Sequence, residues 1–558
     1  MRRLNHLFPS SASALSALSA AAVCLATACG DDRGGTSVSV NFDLKPLSTV
    51  SADLIGIHTA VYDGLLTRSA TTPARLRAAG VTSLRYPGGS YADLYHWETH
   101  TGTMTPAVGF GGNGVYIDRS ANFGSFALMI EKMGARALMT VNYGMDRAGT
   151  GPGNPEEAAA WVAYANSLPT NDTIIGADAT GYDWKTAGYW GALRASAPLP
   201  LDDGKNFLRI AHPAPLGIKY WEIGNEIYGN GYYHGSPMGA GWEADLHAPY
   251  DGANGTARRN NPALSPETYG KGVKRFSDAM KAVDPAVQIG TIVHWPYTEY
   301  SRQAGETDWN EMVLPHACAG TDFVVNHWYA GKDTVESLLT VPAEDIPAMY
   351  ADLRTLLTSA AAGCGARGAT MPIAVTEWGP NLFQRGVGEA LGATPPAHTQ
   401  LVGIFAAESY ANFMEQDALS VHWAQLHDPN YLIAPDDKES FGYHGAEIAH
   451  HLAGGGDAMV PARSNHEAIL THASKHADGG VSVMLTNIGK HPFQNVKVNV
   501  EGGATRFAAK GMRHAYTPVS TDLDGDVTSE EITASGDGRS VVVAVPAHSV
   551  VVVAFPPR

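Results

Sequence analysis

The stretch YWEIGNEIYG, Tyr220–Gly229, carries an apolar run to a glycine and then sets Asn225 and Glu226 side by side. Alone, the pair fits a solvated carboxylate at a strand end as well as it fits an active-site acid. What decides between them is whether the chain supplies a scaffold and a second carboxylate.

The scaffold is legible as a period. Short apolar runs recur at Leu54–His58, Thr82–Tyr86, Ala137–Tyr143, Ile218–Ile223, Val287–His294, Phe323–Tyr329, Ile373–Glu377 and Ala418–Trp423. Several are continuous Val/Ile/Leu runs, as expected of parallel strands buried on both faces. Amphipathic helical patterns lie between them, at Thr72–Ala79, Phe123–Met133, Tyr269–Val283, Ile346–Ala360 and Thr399–Glu415. Asn154-Pro155-Glu156-Glu157 and Ser265-Pro266-Glu267 supply caps and first-turn prolines. Eight such units predict an α/β fold, a (β/α)8 TIM barrel. An open doubly wound sheet is the alternative, but LIGIHTAVYD lacks the glycine-rich turn that fold usually shows after its first strand.

After His451–Gly456 the period changes to two. GVSVMLTNIG, FQNVKVNVEG and SVVVAVPAHSVVVVAF predict a C-terminal antiparallel β-sandwich, and VSVNFDL near Val38–Leu44 is a leading strand that could pair with it. The expected organisation is a signal peptide over 1–28, a lipidated tether and leading strand over 29–52, the barrel over 53–456 and the sandwich over 457–558. STDLDGDVTSEE resembles a calcium loop, yet Gly525 falls at the fourth position of a loop begun at Asp522, not the sixth, so it reads as a charged turn.

A formal net charge of −17 argues against nucleic acid as the main partner and leaves a neutral ligand open. Arg2 and Arg3, an apolar centre and Ala26-Thr27-Ala28-Cys29 predict export, either as a cell-envelope lipoprotein anchored through Cys29 or as a secreted protein cut after Ala28. Of the 4 cysteines, Cys24 and Cys29 belong to this leader. Cys318 and Cys364 remain, as a disulfide or as two buried thiols, and no metal spacing is present.

Barrel active sites sit at the C-terminal strand ends. There the sequence places Arg85 and Ser90 in LRYPGGS, Asn142, Asn225-Glu226, His294-Trp295, His327-Trp328-Tyr329, Glu377-Trp378 and His422-Trp423. Two carboxylates across one cleft, Glu226 and Glu377, suit glycoside cleavage, in which one donates a proton to the leaving oxygen. The other attacks the anomeric carbon, or activates a water if the gap is wide. Asn225 is expected to hold a sugar hydroxyl, Tyr329 and Arg85 to keep one carboxylate charged, and Trp295, Trp328, Trp378 and Trp423 to stack on sugar rings.

A Gly-Asn-Glu on the fourth strand and a Thr-Glu-Trp on the seventh resemble glycoside hydrolase clan A. LRYPGGSYADLYHW, NPEEAAAWVAYAN, YWEIGNEIYG, NHWYA and TEWGP are similar, in order, to segments of the family 51 α-L-arabinofuranosidases. The resemblance implies Glu226 as acid/base, Glu377 as nucleophile, Asn225 at the sugar 2-hydroxyl, Tyr329 on the nucleophile and Arg85 in its support. Two positions depart. No acid precedes Asp63 after the first strand, and Ser90 stands where the family has Asn. The sugar is therefore open: arabinofuranoside leads, with galactofuranoside, or endo-action on xylan or glucan, as alternatives. The long segments Leu168–Pro215 and Tyr228–Leu264 would shape such subsites. A non-catalytic glycan-binding lipoprotein is the reading from another class. The expected partner is an oligo- or polysaccharide, with no cofactor and no metal.

Overall fold

The computed structural model describes residues 35–102, 117–148, 152–228, 266–295, 309–330, 336–380, 400–427, 432–434, 437–517 and 526–558. The leader with Cys29, almost all of Tyr228–Leu264 and the Asp522 turn lie outside the described residues. Eight parallel strands close into a barrel. In chain order they are β1 (Ile55–His58), β2 (Ser83–Tyr86), β3 (Arg136–Val141), β4 (Tyr220–Ile223), β5 (Gln288–Ile292), β6 (Phe323–Ala330), β7 (Ile373–Pro380) and β8 (Val421–Trp423). Each pairs with its sequence neighbours, and β8 closes on β1 through Val421 opposite Ile55.

Helices cover the outside: α1 (Thr72–Ala78), α2 (Phe123–Met133), α3 (Pro155–Asn166), α4 (Ala187–Ala195), α5 (Pro266–Val283), α6 (Trp309–Ala317), α7 (Val341–Thr358), α8 (Leu401–Glu415) and α9 (Phe441–His450). Helix α7 starts at Val341 rather than Ile346, because Pro342 takes the first turn. Helix α4 lies inside the segment expected as a long loop. Thr186 caps it, and Trp190 packs 5.0 Å from Trp97, so buried aromatics pin that segment to the barrel.

Within a strand the side chains alternate. On β2, Leu84 and Tyr86 face the helices, Tyr86 stacking 4.4 Å from Phe126, while Ser83 and Arg85 face the barrel interior. On β4, Trp221 packs against Trp161 of α3 and Glu222 points inward to Arg85. Register shifts in β6 at Asn326/His327 and in β7 between Val375 and Trp378 re-aim the ends of both strands.

The sandwich stacks a seven-stranded and a four-stranded sheet over a valine-rich core that includes Val38, Val483, Val498, Val543 and Val553. The leading strand, Ser37–Val40, joins the smaller sheet. It runs antiparallel to Ala462–Ser464 but parallel to Phe493–Val500, a departure from a wholly antiparallel sandwich. Cys318 and Cys364 are disulfide-bonded, tying the end of α6 to the turn before β7. No helix among the described residues is long and apolar enough to cross a membrane.

Helix α8 joins the two layers. The Tyr516 hydroxyl lies so close to Gly403 that a Cβ there would come within 2.5 Å, and it donates to the Gln400 carbonyl at 3.2 Å. His472 of the sandwich meets Glu415 at 2.8 Å and Glu408 at 3.2 Å, all three largely buried. Burial alone would push the His472 imidazole down; the carboxylates of Glu415 and Glu408 outweigh it and hold it well above the usual histidine range. Replacing His472 by Ala leaves those buried carboxylates without a cation, which should cost about 3–5 kcal/mol in denaturant unfolding. Because the folded pKa is raised, the contribution is full below about pH 6.5 and is lost as pH rises through the folded value. The difference between wild type and His472→Ala should therefore shrink on the alkaline side; a difference that grows with pH would refute the assignment.

Candidate active site

Arg85 is the centre of the barrel mouth. Its guanidinium is fully buried and donates to three side chains from two strands. Nε meets Glu222, Nη1 meets Glu377 Oε1 at 2.7 Å, and Nη2 meets the Asn225 side-chain oxygen at 2.8 Å. Thr140 of β3 also donates to Glu222. Burial alone would lower the Arg85 pKa, but Glu222 and Glu377 outweigh it and raise it. Asn225 is held from behind, where its backbone N–H donates to Asp93 at 2.9 Å. Burial pushes the Asp93 carboxyl well above its ordinary range, against the backbone donors of Asn225 and Tyr143.

Glu377 and Glu226 face one another across this centre. Tyr329 donates to Glu377 Oε2 at 2.7 Å. His327, opposite Glu377 in the β6–β7 register, bonds Glu226 through Nδ1 at 2.7 Å and Thr376 through Nε2 at 3.1 Å. The same Nδ1 is 3.6 Å from Glu377 Oε2. One oxygen of each glutamate and one His327 nitrogen lie within 4.8 Å of one another. Burial works to raise the Glu377 pKa, but His327, His58 and Arg85 together hold it well below the usual carboxylate range. Burial works to lower His327, and Glu377 and Glu226 together raise it above the usual histidine range.

The structure thus brings together Arg85, Asn225, Glu226, His327, Tyr329 and Glu377. His294 stands nearby, its ring 4.2 Å from that of Tyr228. Burial and the charge of His327 lower it to about 3, which keeps it neutral. Ser90 is half-buried and follows Gly88-Gly89, whose positive φ values bring the backbone over His58 and Glu377. Asn142 spends its amide on the backbone of Met145 and Tyr95.

The tryptophans are elsewhere. Trp378 is wholly buried against Phe405, Tyr410 and Phe413 of α8, and Trp328 packs on the same helix. Trp423 packs against Trp378 and against Gly442 of α9. Trp295 turns its indole N–H to Asp352 of α7 at 2.9 Å. Trp295, Trp328, Trp378 and Trp423, expected as sugar platforms, belong to the layer between strands and helices. Each directly follows an inward-facing polar residue, and alternation sends it outward.

Three participants were missed. His58, at the end of β1, lies 3.3 Å from both Glu377 and Arg85, and burial lowers its pKa. Glu222 and Asp93 complete the Arg85 and Asn225 supports. The signal for Glu222 was present: an acid on the inward phase of a barrel strand, four residues before Glu226.

No protein-family model matches the chain. It is 27% identical over 221 residues to α-L-arabinofuranosidase C of Emericella nidulans, covering 38% of this chain and 30% of that protein. It is 23% identical over 254 residues to an intracellular exo-α-(1→5)-L-arabinofuranosidase of Halalkalibacterium halodurans, covering 45% and 37%. The chain thus spans about a third of the length of these curated relatives. The α-L-arabinofuranosidase of Thermotoga maritima, solved with arabinose, superposes with a TM-score of 0.66 and 19% identity over 94% of this chain and 100% of that one. The fold is that of the family 51 arabinofuranosidases. A family 51 enzyme from Bifidobacterium longum follows at 0.63 and 16%, covering 93% and 99%. A family 44 xyloglucanase of Paenibacillus polymyxa gives 0.57 and 11%, covering 94% and 99%.

Among the described residues Glu226, His327 and Glu377 are also the one trio spaced to share a cation. There Arg85 donates to one Glu377 oxygen and Tyr329 to the other. What the arrangement offers is a carboxylate held ionised by its cationic neighbours beside a second carboxyl that shares a hydrogen bond with His327. Replacing Arg85 by Met strands Glu222 in the interior and should cost about 3–5 kcal/mol in unfolding free energy. Adding Glu222→Leu should restore part of the loss, and a strictly additive double variant would disprove the coupling.

Proposed function

We propose that the protein is a retaining, exo-acting glycoside hydrolase of furanosides, α-L-arabinofuranosides among them. The observation that carries this reading is the approach of the Glu226 and Glu377 oxygens to within 4.8 Å. That approach suits a covalent glycosyl-enzyme, for which carboxyl groups stand roughly 5–5.5 Å apart, and leaves too little room for an inverting water. Glu377, kept ionised by its cationic neighbours, attacks the anomeric carbon. Glu226 gives a proton to the leaving oxygen, which departs as an alcohol. Water, deprotonated by Glu226, then cleaves the glycosyl ester and frees Glu377. The 2.7 Å bond from His327 lets the proton be shared between imidazole and carboxyl until the leaving oxygen takes it. Asn225, fixed by Arg85 and Asp93, is placed to meet a ring hydroxyl. The names of the relatives favour arabinofuranosides. The likeness to a xyloglucanase keeps endo-action on a pyranose glycan as the second reading. The basic and apolar leader ahead of Cys29 supports work at the cell envelope on an external glycan.

Glu377→Ala should lower kcat/KM on an aryl arabinofuranoside by about 10⁴-fold or more, and parental rates would reject the reading. Glu226→Ala should slow substrates with poor leaving groups far more than activated aryl glycosides, and equal losses would rule out its acid role.

The pH–rate profile should be a bell. Its acid limb should lie below the ordinary carboxylate value of about 4.3, because the Glu377 pKa is depressed. Its alkaline limb marks loss of the proton on His327, which Glu377 and Glu226 hold above the usual histidine range. His327→Gln removes the neighbour that most favours the charged Glu377, so the acid limb should move to higher pH. An acid limb that stays in place would remove His327 from the mechanism.

A further inference from the structure

Between the segments that follow β1 and β8 lies a cavity of about 240 Å³. Tyr62, Asp63, Gln425, Leu426 and His427 are among the residues that line it. It adjoins the catalytic centre through Leu426, whose N–H donates to the His58 carbonyl at 3.1 Å, and His58 in turn touches Glu377. The Tyr62 hydroxyl donates to Gln425 Oε1 at 2.6 Å, and its ring stands 4.9 Å from that of Tyr91, one residue beyond Ser90.

The polar groups of the cavity are set in one direction. Asp63 Oδ1 accepts from the backbone of Leu65 at 2.9 Å, and Oδ2 meets His427 Nδ1 at 2.6 Å. Both carboxylate oxygens are thus engaged, and the imidazole is oriented by the contact. His427 is more than nine-tenths buried, yet its Nε2 has no hydrogen-bond partner among the described residues. The half-buried Gln425 amide nitrogen has none either. The His427 nitrogen is accessible from the cavity, where a ligand or water can meet it. A hydroxyl satisfies it in either tautomer, since it can both donate and accept.

The position of the cavity on the rim says which part of a substrate could reach it. Glu226 follows β4 and protonates the leaving group, so the leaving group lies on that side. In the closed strand order β8 and β1 stand across the mouth from β4, on the side of the sugar ring that is transferred. A pentofuranosyl ring ends there in a single hydroxymethyl group. The hexofuranosyl ring of a β-D-galactofuranoside has the same configuration around the ring as an α-L-arabinofuranoside. It carries one further hydroxylated carbon at that end.

We propose that the β1–β8 cavity receives the exocyclic glycol of a hexofuranosyl glycone, hydrogen-bonded by His427 and Gln425, so that the enzyme prefers hexofuranosides to pentofuranosides. The inference rests on the furanosidase reading and names its sugar. Asp63 is a positioning residue in it: it aims the imidazole and touches no substrate.

The test uses the full chain with 4-nitrophenyl β-D-galactofuranoside, 4-nitrophenyl α-L-arabinofuranoside and a pyranoside panel. The wild type should favour the galactofuranoside in kcat/KM by about tenfold or more, the worth of one or two hydrogen bonds to a buried partner. His427→Ala and Asp63→Asn should each reduce that preference by about tenfold, with the galactofuranoside bearing most of the loss. Arabinofuranoside turnover with no galactofuranoside preference would overturn the inference and leave the furanosidase reading standing. So would a preference that survives both substitutions. Cleavage of pyranosides with neither furanoside touched would overturn both. The wild-type ratio needs no variant to fold, so the inference stays falsifiable if either substitution destabilises the chain.

Discussion

A guanidinium buried at the mouth of a parallel barrel constrains everything around it. Arg85 cannot shed its charge, so its neighbours must supply carboxylate and acceptor oxygen in the planes of its fork. They do so from two strands: Glu222 on β4, Asn225 just beyond the end of β4, and Glu377 on β7. Fixing one planar group therefore fixes three side chains that a substrate would otherwise have to organise. Glu222 offsets the charge of Arg85 from a position no substrate reaches. Glu377 is then biased toward ionisation by His327, His58 and Arg85 together, not consumed by one ion pair.

The barrel was readable because its signal is redundant. Eight apolar runs separated by capped helices agree with one another, and an error of a few residues in any one of them changes nothing. The glutamate pair was readable for a similar reason: each sits at the end of a strand, where such a fold exposes polar groups. Individual side-chain directions were harder to read. His294-Trp295, His327-Trp328, Glu377-Trp378 and His422-Trp423 repeat one arrangement, a polar residue followed by a tryptophan. Adjacent residues of a regular strand point to opposite faces, so an inward His or Glu sends the tryptophan after it to the helices. The same rule, applied to Tyr220–Ile223, marks Glu222 as interior. His58 and Asp93 had no such signal, because their roles arise from contacts with residues 319 and 132 positions away (377 − 58 and 225 − 93). The fate of the long segment after Tyr228 falls outside the described residues.

The outward tryptophans link the sandwich to the catalytic centre. Glu377 points inward because Trp378 points outward, and Trp378 is held by Phe405, Tyr410 and Phe413 of α8. That helix is gripped in turn by the sandwich, through Tyr516 against Gly403 and His472 between Glu408 and Glu415. Clamped from outside by a second domain, it gives the aromatic layer a fixed back wall. A chain of contacts thus runs from a histidine on a sandwich strand through α8 and Trp378 to the strand that carries Glu377.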